Sequence, residues 1–181
     1  MRLIRFSALL LITVWLLPLR SQDRRSPQEL LDHALHFADL YNWDDAGEEF
    51  AEAEKMFLAA GDERNALYAK LGKIRSTIDQ LVLPATSAQL ASELEKNPLL
   101  QADKQLRLFC LIVKGDIDGE IDARAMREDW EEVQKLATEL GNDKWQYRAL
   151  AQLGVAAFYN GDLDTAGRNV RARVGRGHEE R

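Results

Sequence analysis

Four times this chain sets a small residue directly behind a larger one: His33-Ala34, Leu71-Gly72, Phe109-Cys110 and Leu153-Gly154. Each pair lies on an amphipathic segment that runs through a turn into a second such segment. A chain built this way folds as stacked helical hairpins, because one hairpin alone cannot cover its apolar face and must lean on the next. The small residues are needed where two helices approach closely, since a larger side chain there would hold the helices of a hairpin apart.

The rest of the pattern agrees. Helix formers dominate, prolines number four in all, and no stretch alternates apolar and polar residues as a half-buried strand requires. Ser26 and Pro27 open a first helix with Leu30, Ala34, Phe37 and Tyr41 on one stripe. The turn Asn42 to Asp45 leads into a second, carrying Ala46, Phe50, Ala53 and Phe57, which Gly61 stops. A third starts at Asp62 and bears Ala66, Tyr68, Leu71, Gly72, Ile74 and Ile78; Pro84 opens a fourth with Leu90 and Leu94, ended by Asn97-Pro98. The fifth holds Leu106, Phe109, Cys110 and Val113 and is expected to stop at Gly115. After a loop from Asp116 to Glu120 a sixth runs to Leu140, a seventh spans Asp143 to Asn160, and a short eighth carries Leu163, Ala166 and Val170.

These residues resemble the tetratricopeptide repeat. In the first hairpin Leu30, Ala34, Phe37, Ala46, Phe50 and Ala53 match that repeat, with His33 where Leu is usual; in the last, Leu150, Leu153, Gly154, Ala157 and Ala166 do. The middle hairpins keep the first helix, as Tyr68, Leu71 and Gly72 and as Leu106, Phe109, Cys110 and Val113, but their second helices follow at irregular distances. The resemblance implies an all-α, right-handed solenoid of about four antiparallel hairpins over residues 27–170, with function in its concave groove.

Ahead of that region the cationic start Met1 to Arg5 and the 14-residue apolar run Phe6 to Leu19 resemble a signal peptide, residues 1–21, followed by a linker, 22–26. The run is shorter than the ~20 residues that span a bilayer, so export to a periplasmic or secreted location is expected, with anchoring by an uncleaved segment as the alternative. Cys110 is the single cysteine, so no internal disulfide forms. Between Gln22 and Gly167 the chain carries 16 Lys and Arg against 28 Asp and Glu, a balance that repels phosphate backbones and argues against nucleic acid as a partner. Residues 171–181, basic and without apolar periodicity, are expected to form a disordered tail. Nothing after Val174 supplies the polar outer helix that shields a terminal repeat, which makes self-association through the last hairpin a further expectation.

Chemical motifs are sparse. Asp116, Asp118, Glu120 and Asp122 alternate like a calcium loop, but Ile121 stands where Gly is needed and Arg127 where the bidentate Glu is needed, so a solvated turn is expected. His33 and His36 have no carboxylate or thiol in register for a metal, and Cys110 sits within an apolar helix face as a structural thiol. No phosphate loop, Gly-x-Ser-x-Gly or His-Glu-x-x-His occurs, so neither catalysis nor a cofactor is expected.

The tetratricopeptide resemblance implies that first-helix positions line the inner groove. Those are Lys73 and Ser76, then Lys104, Arg107, Leu111 and Lys114, then Arg148, Val155 and Phe158, with Ala66, Ala69 and Ala151 between them. Such a groove would be locally basic and suited to a protein or peptide with an anionic segment. The expected function is a non-catalytic protein-interaction scaffold. The alternative is the input segment of a longer membrane-linked signalling enzyme whose kinase, cyclase or protease module is absent here.

Overall fold

The computed structural model describes residues 25–169 and 171, all of whose regular structure is helical. The leader 1–21, most of the linker 22–26 and all but the first residue of the tail 171–181 lie outside the described residues.

The elements follow the expected order. Helix α1, Pro27–Asp39, begins at a capping box: the Ser26 hydroxyl accepts from Glu29 N–H while Glu29 accepts from the Ser26 N–H. Helix α2 spans Trp43–Ala60, and α3 spans Glu63–Ser76. A 3₁₀ turn, Ile78–Gln80, leads to α4, Leu83–Lys96, and α5, Pro98–Ala102. Then come α6, Lys104–Asp118, α7, Ala123–Glu139, and α8, Asp143–Tyr159, followed by a helical run at 163–169.

One joint is used three times. Gly61, Gly141 and Gly161 each take a left-handed conformation after a helix, at φ 74°, 64° and 76°. The next residue then caps the following helix: Asp62 accepts from Asn65 N–H, Asn142 from Trp145 N–H and Asp162 from Thr165 N–H. Two residues thus reverse the chain with the orphan backbone groups at both helix ends answered.

The helices bury two apolar clusters. One gathers Leu30, Leu31, Ala34, Phe50 and Phe57 of α1 and α2 with Ala66 and Ala69 of α3. The larger is centred on α6 and takes Leu71, Leu90, Leu100, Trp130 and Val133 from its neighbours. Tyr68 packs against both, so α3 is the wall they share.

Four expectations need correction. Helix α4 packs on α5 and α6 and not back on α3, so the second expected hairpin is not a closed pair; the 3₁₀ turn and the extended residues at Leu81 and Val82 redirect the chain. Helix α5 was not anticipated from the Pro98 break. Helix α6 does not stop at Gly115 but continues to Asp118; Gly115 keeps helical backbone, and its bare Cα makes room for Trp130 of α7, since a Cβ there would sit 2.8 Å from Trp130 Nε1. And Gly72 does not serve closeness within its own hairpin. A Cβ at Gly72 would meet the Phe50 ring of the preceding α2 at 2.5 Å, so the small residue seats one hairpin against the next.

Candidate functional site

A cavity of about 860 Å³ opens where the α1–α2 turn, the C-terminal ends of α3 and α6 and one face of α8 converge. Arg75, in the last turn of α3, is favoured there by the negative end of the helix dipole. Its Nε donates to Asp116 Oδ2 at 2.7 Å, and its guanidinium carbon lies 5.1 Å from the Trp43 ring centroid and 5.5 Å from that of Trp145. A cation between two indoles and beside a carboxylate is well satisfied.

Arg148 is not. Its Nη1 donates to the Tyr41 hydroxyl at 3.4 Å and its Nη2 stands 3.9 Å from Asp116, while its buried Nε has no partner. Since Asp116 is engaged by Arg75, Arg148 keeps donor capacity at the cavity wall.

Tyr41 marks the mouth. It occupies the position after α1 at which glycine follows α2, α7 and α8, yet holds φ 59° with its side chain 65% exposed. A left-handed non-glycine residue costs roughly 1–2 kcal/mol, and strain of this kind concentrates where a side chain is needed in one place. Its ring meets Trp43 edge-on at 5.9 Å, and Tyr159 and Val155 are exposed on the same cavity.

Helix α1 and helix α8 meet at this end of the molecule through polar and aromatic groups. Lys144 donates to both Asp39 oxygens, at 2.6 and 2.8 Å, and these side chains are 60% and 56% exposed. With the Arg148–Tyr41 hydrogen bond and the Trp43–Arg75–Trp145 stack, this forms a clasp between segments about a hundred residues apart.

Behind the cavity lies a buried charge cluster. Lys114 Nζ donates to Asp118 at 2.7 Å and to both Asp129 oxygens at 2.8 and 2.9 Å. Burial raises the Asp129 carboxyl to about 7, beyond what the Lys114 bonds offset. For Asp118 burial works the other way from its bonds to Lys114 and Ser87, and the bonds win, so its carboxyl lies below the usual range. The acidic loop is therefore corrected in part: Asp116, half-buried, and Asp118, buried, are helical and paired because α6 extends past Gly115, whereas Glu120 and Asp122 are exposed in the turn that follows.

Of the residues expected to line the groove, Ser76, Arg148 and Val155 meet at this cavity. The others are elsewhere. Lys73 pairs with Glu54 of α2 at 2.7 Å, and Lys104 with Glu139 of α7 at 3.0 Å. Arg107 donates to the Leu94 carbonyl of α4 at 2.9 Å, and Lys114 is held in the buried cluster. Leu111 is core, since α6 is enclosed by α3, α4, α5 and α7 and keeps no free inner face; Ala66 and Ala69 are core as well. Phe158 is exposed on a separate apolar hollow shared with Leu163, which Val155, Ala151 and Tyr159 also border.

The sequence reading missed Tyr41, Trp43, Arg75, Asp116 and Trp145 as site residues. One signal was present: Tyr41-Asn42 stands where Gly-Asp or Gly-Asn stands at the three other joints. His33 is an exposed partner of Glu49 and Arg25, at 2.7 and 2.8 Å, and its ring meets Phe37 at a tilt of 55° with centroids 4.5 Å apart. Cys110 is fully buried and its thiol is pushed up to about 12, chiefly by burial, as suits a structural role. Among the described residues no His, Cys, Asp and Glu side chains cluster as metal ligands, and no helix is long and apolar enough to cross a membrane. No family model, curated protein or solved structure matches the chain.

Proposed function

We propose that this chain is a non-catalytic scaffold of the tetratricopeptide-repeat kind, exported from the cytoplasm, that seats a protein or peptide segment carrying an anionic group. The observation that supports this most is Arg148: a guanidinium with unspent donors, on the wall of a cavity of ligand size, beneath an aromatic mouth. The basic groove foreseen along Lys104, Arg107 and Lys114 is replaced in this reading by a single anchoring cation, because those three are already answered by Glu139, the Leu94 carbonyl and Asp118 with Asp129.

Randomised hexapeptide pools, one enriched in Glu and one in Gln, distinguish the two placements. The acidic pool is expected to be retained by the wild-type chain and by Lys104→Glu, and to be lost from Arg148→Met. Retention by Arg148→Met, or no difference between the pools, would overturn the cavity as the site.

A second reading, the input segment of a longer signalling enzyme, draws support from the clasp. Its ion pair and hydrogen bond are solvent-exposed and cheap to break, which suits an element that changes state when occupied.

A further inference from the structure

Beneath the Asp39–Lys144 bridge lies a second hollow of about 200 Å³, distinct from the large cavity and more enclosed. Five aromatic side chains line it, Phe50 of α2, Tyr68 of α3, Phe109 of α6, Trp43 and Trp145, beside Ala38 of α1 and three charged residues. Tyr68 and Phe109 stack nearly parallel, with centroids 4.4 Å apart and 13° between planes, so each covers one face of the other and the pair is held as a single rigid aromatic unit. Its charged residues are engaged with one another or with the neighbouring site, Asp39 with Lys144 and Arg75 with Asp116.

Water is stable in a hollow only where it finds two to four polar partners, whereas apolar cavities of about 150 Å³ stay dry and take up benzene. This hollow exceeds that size. Flat ring faces and edges on several sides select for a planar aromatic guest over an aliphatic one of equal volume, since offset and edge-to-face ring contacts add attraction beyond area.

We infer that the hollow under the α1–α8 clasp is a binding site for a small, neutral, planar aromatic molecule of benzene to indole size. The occupant is a free molecule of a size that a hollow of about 200 Å³ can hold, and a partner's side chain is a competing outcome of the test. A guest there touches Ala38 of α1 and Trp145 of α8 together, so occupancy fastens a seam otherwise held by exposed polar contacts. The site needs neither Arg148 nor an anionic peptide and stands apart from the scaffold reading.

The test uses the whole chain with indole, benzene and cyclohexane as probes, read by calorimetry and by ring-current shifts of the Trp43 and Trp145 indole N–H resonances. Indole and benzene are expected to bind saturably with both resonances moving, and cyclohexane at least tenfold more weakly. Ala38→Leu, which fills the hollow from α1, is expected to abolish binding. Lys104→Ala, whose exposed side chain pairs with Glu139 away from the hollow, is expected to keep affinity within about threefold and to serve as the folded control. Failure of indole and benzene to bind, equal binding of cyclohexane, or undiminished binding by a folded Ala38→Leu would each overturn the inference. So would N-acetyl-tryptophanamide binding more tightly than indole, which would make the hollow a receptor for a side chain.

Discussion

Replacing Gly115 by Ala separates two views of α6. If that glycine ended a helix in a left-handed conformation, as its place before an acidic run suggests, alanine would cost about 1 kcal/mol whatever residue stood at position 130. In the structure it is interior, so alanine gains about 1 kcal/mol of helix propensity. Against this, the new methyl carbon would lie 2.8 Å from Trp130 Nε1 and 3.2 Å from two further ring atoms. Trp130 is completely buried and packed within the α6-centred core, so its ring has nowhere to withdraw. Overpacking of that kind costs about 1–3 kcal/mol. The clash wins by roughly 1 kcal/mol, and by nearer 2 if the ring cannot tilt. For a domain of this size, at about 2–4 °C per kcal/mol, that is a fall in melting temperature of about 2–8 °C, measured by circular dichroism. The decisive comparison is the same change in a Trp130→Phe background, where the nitrogen-bearing edge of the ring is gone. There alanine is expected to stabilise by about 1 kcal/mol, a coupling of 2–3 kcal/mol across the cycle. A Gly115→Ala change that costs the same with Trp130 intact and with Trp130→Phe would refute the assignment of Gly115 to the interior of α6 against that ring.

Three further outcomes are expected. Because burial holds the Asp129 carboxyl near 7, the folded chain binds a proton that the unfolded chain has lost between about pH 4 and 7, so the urea midpoint should fall as pH rises through that window; Asp129→Asn should flatten the slope, while the depressed Asp118 contributes stability that disappears only below its ordinary carboxylate range. The Asp39–Lys144 pair is exposed, so Lys144→Ala should cost under about 1 kcal/mol and less in high salt, whereas Arg75→Ala, which strips a largely buried Asp116 of its close partner, should cost roughly 3 kcal/mol in chemical denaturation. Cys110, with its thiol near 12 and no exposed surface, should resist iodoacetamide at pH 8 in the native chain and react completely in denaturant, as mass spectrometry would show.

What could be read from the sequence divides along a physical line. Helix existence and most helix ends were legible because they depend on neighbours in the chain: Ser26 with Glu29, Gly61 with Asp62, Gly141 with Asn142, and Asn97 with Pro98 each act within a few residues. Gly115 misled because the same residue answers two needs, a left-handed φ at a helix end and room for a neighbouring ring, and only the position of Trp130 decides between them. The groove residues were misplaced for a related reason. Position within a repeat assigns a side chain to an inner face only if every repeat stacks alike, and α4 leaves α3 to join α6, which encloses Leu111 and turns Lys114 inward.

Position within the repeat reached Ser76, Arg148 and Val155 of the candidate site, but the rest of it lies on the illegible side. Arg75, Trp43, Trp145, Asp39 and Lys144 stand at helix ends, where periodicity carries no information about facing, and their partners lie far away in sequence. Their one local trace is energetic. At three joints the chain meets the demand for positive φ with glycine, at no steric cost; at the fourth it keeps tyrosine and accepts strain of roughly 1–2 kcal/mol. A joint needs no aromatic ring, so the ring answers to something outside the joint, and what lies beside it is the Arg148 guanidinium and the cavity mouth. Strain without a local beneficiary is thus the sequence's pointer to the site, read by comparing each joint with the others in the same chain.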